Sequence, residues 1–511
     1  MTLERSQNSQ PGATGAHEAL RLKQRAVRGG LSVLARAIAV RGIAFVGLIL
    51  IARLASPAEL GAFVMVSFAV GFFTAVGDGG LAAALIQQDH EPTPRELSTV
   101  FTGQAMVVAG LAVGGLALSI PLAGVLHLGA HQYATLLLVM AALPFAALKT
   151  VPAARLERQL RYGPIAAVDA LQAFVFQGLA VGFAVAGFGV EGFAAAAVVQ
   201  AAVGAIAVTA FSPWWLHFGL DRPSLRRLFS FGAIVQAQTA VNYVKDSITP
   251  LFVGAVVGAS AVGYLNWAYT MAAIPLLIAY PLADVTFSVF ARARGDLVLL
   301  QAMVERAIRV CALTILPVSI LTIVGAGRLV DVVFGAKWAP SLPALYIFAV
   351  GMCTCPLITS SFFSLFYATG RTRTALGFMI AWAVLDWGLG VPLVLHYGFV
   401  GIAWRSLLVA AASTPVLIIT ARRIVPLRVL RQVTLPAILA CAAGAVEWVV
   451  YSLTSETVAS TLLGLLLALS FFVVLACLFE RRLLAATVRA LRPTAAAGVR
   501  APVSASTSPP S

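Results

Sequence analysis

Charged side chains inside long apolar stretches are the residues of this sequence that could do chemistry. Six of the 35 Lys and Arg residues lie in such stretches; Arg41 and Lys245 lie deepest, and Arg405 lies at intermediate depth. A charge at the centre of a bilayer costs at least about 2.5 to 3.5 kcal/mol, so it faces a wet cleft or a partner of opposite charge. We therefore predict that these three cations line a substrate pathway.

Four aspartates could accompany the cations in this pathway, because a buried carboxylate can take up and release a proton or Na⁺. Asp246 follows Lys245 directly, and Asp386 lies near the middle of its apolar stretch. Asp78 and Asp284 lie closer to the end of theirs, where solvation or pairing with basic loops explains them equally well. All four are predicted candidates for ion coupling, with Asp246 and Asp386 as the main ones.

A polar stripe surrounds Lys245 on the apolar stretch 229–256. Its members recur at helical spacing: Gln238, Asn242, Lys245 and Thr249. This spacing places them on one face of a helix, which favours a wet lumen. Hydrogen bonds between helices inside a dry bundle would use the same residues, so that alternative stays open. We predict that Gln238 and Asn242 join Lys245 in binding substrate.

About 14 apolar stretches of membrane-spanning length must position these residues. Hydrophobic residues form 60% of the 511-residue chain and charged residues 11%, which excludes an ordinary soluble fold. A helix of about 20 apolar residues crosses the hydrocarbon core, and the stretches lack the two-residue alternation of a barrel. The predicted fold class is an all-α integral membrane protein with about 14 transmembrane helices.

The basic residues predict the orientation of the chain. The two tails and every second gap hold 26 of the 35 Lys and Arg residues, whereas the other gaps hold only Arg53, Arg328 and Lys337. Cytoplasmic loops carry an excess of Lys and Arg, so both termini are predicted to be cytoplasmic. Topology and contacts with anionic membrane lipids account for the net charge of +15, and nucleic-acid binding is not predicted.

The two halves of the chain repeat each other. Gly61 in LASPAELGAF matches Gly263 in VVGASAVGYL, and later Gly189 in GFGVEGFA matches Gly398 in HYGFVGIA. Six helices per half is an even number, so the repeats are predicted to run parallel. The predicted domains are a basic cytoplasmic tail (1–30), a six-helix bundle (31–213), a cytoplasmic linker (214–228), a second six-helix bundle (229–420), an appended helix pair (432–479) and a disordered cytoplasmic tail (480–511).

Two parallel bundles about a cleft are the plan of a transporter. The gaps are too short for a soluble catalytic domain, and the sequence contains no Walker motif, GxSxG elbow or HExxH. We therefore predict that the chain is not an enzyme, has no cofactor or metal site and does not use ATP. A proton or ion gradient is the expected source of energy.

Three segments carry a family resemblance: ARLERQLRYGPIAAVDALQAFVFQGLAVGFAVAGFGVEGFAAAAVV, GDGGLAAALIQ followed by ELSTVF, and FGAKWAPSLPALYIFAVG. They resemble the bacterial polysaccharide-transporter family of the multidrug/oligosaccharidyl-lipid/polysaccharide exporter superfamily. The resemblance implies a flippase that moves polyprenyl-pyrophosphate-linked oligosaccharides across the bacterial inner membrane by alternating access. The product would be exopolysaccharide, capsule or O-antigen of lipopolysaccharide, and a polysaccharide polymerase and a chain-length regulator would be its partners.

In such a flippase, Arg41, Lys245 and Arg405 would supply cations for the pyrophosphate. Two other cargoes stay open. A cation-coupled multidrug exporter would have an acidic cleft, and a peptidoglycan-precursor flippase would share the mechanism. A membrane polymerase or ligase fits less well, because it would need a sizeable outer loop.

Overall fold

The described part of this multi-pass membrane protein consists of helices and their connections in the computed structural model, and it contains no strand. The structure describes residues 42, 46–77, 84–86, 88, 90–125, 135, 137–138, 140–159, 161–214, 217–276, 290 and 296–480. Within these ranges, eight helices are long and apolar enough to cross a membrane, or nine if the bent pair Ala336–Met352 and Leu357–Ala368 forms one span. The all-α fold class is confirmed, and the count of about 14 crossings stays a prediction.

The helices are numbered in chain order, and a helical stretch at 46–54 precedes the first. The first half contains α1 (Pro57–Gly77), α2 (Pro94–Val125), α3 (Leu143–Arg158), α4 (Tyr162–Val185) and α5 (Gly189–Phe211). The second half contains α6 (Arg222–Asp246), α7 (Ala259–Ala272), α8 (Leu297–Arg328), α9 (Leu342–Met352), α10 (Cys355–Ala368), α11 (Thr372–Tyr397) and α12 (Val400–Arg422). Helices α13 (Val429–Leu453) and α14 (Val458–Phe479) follow.

Matching helices of the two halves pack directly against each other at α1 and α7. A Cβ atom added to Gly61 would lie 1.7 Å from the carbonyl oxygen of Ala259. One added to Gly263 would lie 2.0 Å from the carbonyl oxygen of Pro57. Both contacts join residues at matching positions of the two repeats, so the interface is symmetric. Glycine is required here because the two backbones touch.

A second matched pair of glycines lies in the hairpins α4–α5 and α11–α12. Gly189 and Gly398 have φ angles of +54° and +61°, a left-handed conformation that residues with a side chain adopt only at a cost. In each hairpin the two helices then pack side by side. The repeat seen in the sequence therefore places a glycine of positive φ at the matching point of both hairpins.

Three side chains join the two halves beside the start of α1. They are Arg53, Lys337 and Trp338, and we call them the clasp. Arg53 donates hydrogen bonds to two carbonyl oxygens of the π-helical segment Leu329–Phe334. Lys337 Nζ donates to the carbonyl oxygens of Arg53 and Ala55 at 2.8 and 2.7 Å. The buried Trp338 Nε1 donates to the carbonyl oxygen of Ala52, in the helical stretch 46–54, at 2.8 Å. Each half thus caps free carbonyls of a helix in the other.

The appended helix α13 packs along α8 and is held near both of its ends. At one end, Arg328 donates to the Thr454 hydroxyl at 3.0 Å and lies 4.6 Å from the ring centroid of Tyr451. At the other, Glu305 accepts a hydrogen bond from Gln432 at 3.0 Å. Helix α13 is therefore fixed to the second half rather than to the first.

Candidate functional site

A cavity of about 1130 Å³ lies among the helices of the second half. Helices α6, α7, α9, α10, α11 and α12 provide most of the lining residues, and α1 adds Val64 and Phe68. The lining includes charged groups, hydroxyl groups and aromatic rings. Ionisable residues at membrane depth mark substrate or ion pathways, so this cavity is the candidate site.

Four of the predicted site residues line this cavity, and we call them the charged cluster: Lys245, Asp246, Asp386 and Arg405. Lys245 Nζ lies 2.9 Å from Asp246 Oδ1, and Arg405 Nη1 lies 3.5 Å from Asp386 Oδ1. The Arg405 and Asp386 side chains are each 14% exposed, whereas those of Lys245 and Asp246 are 31% and 62% exposed. The Arg405–Asp386 pair is therefore enclosed by protein, and the Lys245–Asp246 pair faces open space.

A change of helix type positions Lys245 and the residues that follow it. Helix α6 ends at Asp246, and the π-helical segment Ile248–Val253 comes next. A π turn shifts later side chains away from α-helical spacing, and such turns are frequent at functional sites. Thr249 lines the cavity beside Lys245. The predicted stripe therefore reaches Thr249 through a π turn, not by continuous α-helical spacing.

The hairpin α11–α12 positions the other ion pair. Asp386 lies eleven residues before the end of α11, and Arg405 lies five residues after the start of α12. At 1.5 Å per residue these positions are about 16 and 8 Å from the hairpin end, so both lie inside the bundle. Trp387 Nε1 donates to the carbonyl oxygen of Val244 at 2.8 Å, which ties α11 to the end of α6 beside Lys245.

Arg405 has donor capacity to spare. Its buried Nε atom has no hydrogen-bond partner within the part of the chain that the structure describes. A guanidinium carries five N–H donors in a fixed fork, which suits carboxylates and phosphates. Arg405 therefore has a donor available for an anionic ligand in the cavity.

A neutral wall faces the same cavity. It is formed mainly by α10, with Thr359, Ser360, Phe363, Ser364 and Tyr367, and by α7, with Asn266 and Tyr269. The α10 residues recur at spacings of about four, so they share one helix face. We did not predict the α10 hydroxyls from the sequence. Their spacing was the available signal. It was not specific, because Ser and Thr in membrane helices commonly donate hydrogen bonds to neighbouring helices or to their own backbone.

The other predicted site residues do not line this cavity within the part of the chain that the structure describes. Asn242 is exposed, but it is not among the residues that line the cavity. Gln238 lies in α6, and its side chain is outside what the structure describes. Arg41, Asp78 and Asp284 lie outside the described residues altogether. The roles of these five residues stay predictions.

Metal-ligating residues do not cluster in the described ranges. No group of three or more His, Cys, Asp or Glu side chains there is arranged to hold a metal ion. The charged cluster itself contains two carboxylates and two cations. Its composition fits an anion-binding or ion-exchanging site better than a metal centre.

Known proteins share sequence with this chain. A family model described as "Polysaccharide biosynthesis protein" matches residues 50–343, more than half of the chain. Lipopolysaccharide biosynthesis protein WzxC of Escherichia coli (strain K12) is 30% identical over 138 residues, which cover 26% of this chain and 27% of WzxC. Succinoglycan biosynthesis transport protein ExoT of Rhizobium meliloti (strain 1021) is 26% identical over 318 residues, 60% of this chain and 62% of ExoT. The matched region thus spans less than two thirds of either relative.

A solved structure shares the fold. The lipid II flippase MurJ in its inward closed conformation superposes with a TM-score of 0.74, covering 89% of this chain and 100% of MurJ. Sequence identity over this superposition is 14%, so the likeness concerns the fold alone.

Proposed function

Because this chain belongs to the polysaccharide biosynthesis protein family, we propose that it is a flippase for polyprenyl-pyrophosphate-linked oligosaccharides. The names of WzxC and ExoT, which refer to lipopolysaccharide biosynthesis and succinoglycan transport, support this class of cargo. The product would be a surface polysaccharide: exopolysaccharide, capsule or O-antigen. Its place would be the bacterial inner membrane, and the distribution of basic residues supports an orientation with both termini in the cytoplasm.

The charged cluster in the large cavity carries the proposal. A pyrophosphate that leaves water needs cations. Lys245 supplies one next to open space, and Arg405, which is largely enclosed by protein, supplies another at the wall of the same cavity. The cavity, at about 1130 Å³, exceeds the roughly 300 to 1,000 Å³ typical of small-ligand pockets, which leaves room for an oligosaccharide. The polyprenyl tail stays in lipid. Arg41, Gln238 and Asn242 extend the pathway in this proposal.

The proposed ion coupling uses the pair formed by Asp386 and Arg405. A substrate phosphate would compete with the Asp386 carboxylate for the same guanidinium. Binding of the cargo would then free Asp386 to take up a proton or Na⁺, which links transport to an ion gradient without ATP. Asp246 is the second proposed coupling residue, and Asp78 and Asp284 are further candidates.

Alternating access of the two bundles would move the head group from the cytoplasmic to the outer side. The balanced charge of the cavity supports this function over drug export. A cation-coupled multidrug exporter would have an acidic cavity, whereas the described lining holds two cations for two carboxylates. A polysaccharide polymerase and a chain-length regulator would use the flipped product.

Deletion of the gene tests the proposal. We expect surface polysaccharide to disappear and lipid-linked oligosaccharide to accumulate on the cytoplasmic side. Wild-type protein should restore the polymer, and Lys245→Gln/Arg405→Gln should not. Arg423→Gln is the matched control, because Arg423 is exposed at the end of α12 and does not line the cavity.

Two other outcomes would redirect the assignment. Normal surface glycans combined with new drug sensitivity would contradict the proposal and favour an exporter. Accumulation of the peptidoglycan lipid precursor would assign the same mechanism to that cargo.

A further inference from the structure

We infer that the neutral wall of the cavity is a saccharide subsite that contacts the sugar attached directly to the pyrophosphate. The inference rests on the proposed function, because it locates the sugar relative to the phosphates. We define the subsite by the four hydroxyl residues of that wall on α10, Thr359, Ser360, Ser364 and Tyr367, together with Trp382 of α11, which also lines the cavity. The charges of the cavity lie on α6, α11 and α12, whereas the hydroxyls are concentrated on α10.

The hydroxyl face of α10 matches the chemistry of a neutral sugar. Thr359, Ser360 and Ser364 line the cavity, and Ser361 on the same helix does not. Ser364 is 6% exposed and Ser361 is 1% exposed, and the Ser360 hydroxyl lies 3.9 Å from the Cys311 sulfur. A Ser or Thr hydroxyl donates one hydrogen bond and accepts others, as a sugar hydroxyl does. Phosphate oxygens only accept hydrogen bonds and favour cations. A neutral wall therefore suits the saccharide, and the charged cluster suits the pyrophosphate.

A fixed aromatic surface lies beside these hydroxyls. The rings of Phe363 and Trp382 are stacked, with centroids 5.4 Å apart and an interplanar angle of 23°. The Trp382 Nε1 donates to the Ser413 hydroxyl at 2.7 Å, which fixes the indole. Tyr367 packs edge-on against Phe363 and is 40% exposed. Such rings combine an apolar face with a polar tip, which suits the C–H face and the hydroxyl edge of a sugar ring.

Spacing along α11 links the two parts of the substrate. Trp382 lies four residues before Asp386, so both are on one face of the helix, about 6 Å apart along its axis. The ring of a sugar that is bonded to a phosphate lies directly beside that phosphate. A pyrophosphate held by Arg405 would therefore place its first sugar at Trp382, next to the α10 hydroxyls.

Binding of two probes to the full-length protein in lipid nanodiscs tests this inference. One probe is a ten-carbon polyprenyl pyrophosphate; the other carries one added hexose, with glucose, galactose and N-acetylglucosamine tested separately. Ser360→Ala/Ser364→Ala should weaken the best hexose-bearing probe about tenfold through the loss of two hydrogen bonds and leave the bare probe unchanged. Ser361→Ala is the matched control and should change neither affinity.

The outcomes separate the subsite from the proposed function. Equal affinity of wild type for bare and hexose-bearing probes, or equal weakening of both in the double variant, would overturn the subsite. If wild type binds neither probe, the proposed function fails and the subsite fails with it. Should the double variant not fold, Tyr367→Phe removes one exposed hydroxyl, and unchanged binding of every hexose probe would likewise overturn the subsite.

Discussion

Removal of one partner from the Arg405–Asp386 pair leaves an opposite charge largely enclosed by protein. Each side chain is 14% exposed. Asp386→Asn should therefore lower the free energy of unfolding by about 1 to 3 kcal/mol, less than for a pair in a dry core. Asp386→Asn/Arg405→Gln should recover most of that stability and still fail to transport. Thermal unfolding in detergent measures the stability, and the amount of surface polysaccharide measures the transport. Normal transport by the double variant would show that the pair has only a structural role.

The Lys245–Asp246 pair should respond differently because it is exposed to the cavity. The Asp246 side chain is 62% exposed, and solvated ion pairs contribute at most about 1 kcal/mol. Asp246→Asn should therefore change the unfolding temperature little and reduce transport if Asp246 takes part in ion coupling. Ion-driven uptake of substrate into vesicles is the measurement. If Asp246→Asn and wild type take up substrate at the same rate at every ion gradient, Asp246 takes no part in ion coupling.

The charged cluster was the part of the site that the sequence could predict. A charge inside an apolar stretch carries a cost that is visible without a structure, and that cost identified Lys245, Asp386 and Arg405. Their meeting in one cavity required the fold. Ser360 and Ser364 were not predicted, because an uncharged hydroxyl in a membrane helix carries little cost and leaves no comparable signal.

At the scale of helices, the contact between α1 and α7 is the most sensitive to added volume. A Cβ on Gly61 would lie 1.7 Å from a backbone oxygen, which cannot move without separating the helices. Gly61→Ala should lower the free energy of unfolding by about 1 to 3 kcal/mol, the usual range for overpacking. Gly110→Ala in α2 is the control, since no atom lies within 4 Å of its added Cβ. Equal unfolding temperatures for the two variants would contradict the backbone contact.

The glycine matches show how far a repeat in the sequence predicts structure. Gly61 and Gly263 occupy equivalent positions, and the sequence indicated that equivalence. It did not indicate that the two glycines pack against each other, because duplication relates two helices without saying whether they touch. The π-helical segment Ile248–Val253 was also beyond prediction, since six residues are too few to reveal a shift in hydrophobic period.

At the scale of the whole molecule, the three cations that departed from the charge pattern have structural roles. Arg53 and Lys337 bind backbone carbonyls across the two halves, and Arg328 joins α8 of the second half to the appended helix α13. In these contacts the acceptors are carbonyl and hydroxyl oxygens at or beyond helix C-terminal ends, where cations are favourable. Such contacts explain why basic residues are retained on the side predicted to be non-cytoplasmic.

Opening of the clasp should expose the cavity to the outer side if the two halves rock against each other. Lys337 donates two hydrogen bonds across the halves, and loss of about 1.4 kcal/mol changes a two-state ratio about tenfold. We expect Lys337→Gln to raise the labelling rate of a cysteine at Asn266 about tenfold when intact cells receive a membrane-impermeant maleimide. The measurement needs a background free of native cysteines.

Arg328→Gln provides the matched control for this last prediction. It removes one cation from the same predicted side, but the contacts of Arg328 join α8 to the appended helix α13 and not to the first half, so the clasp stays closed. An equal increase in the labelling rate of both variants would mean that net charge, not the clasp, governs access. No increase in either would show that the α1–α7 backbone contact closes this end alone, and that transport must first separate Gly61 from Gly263.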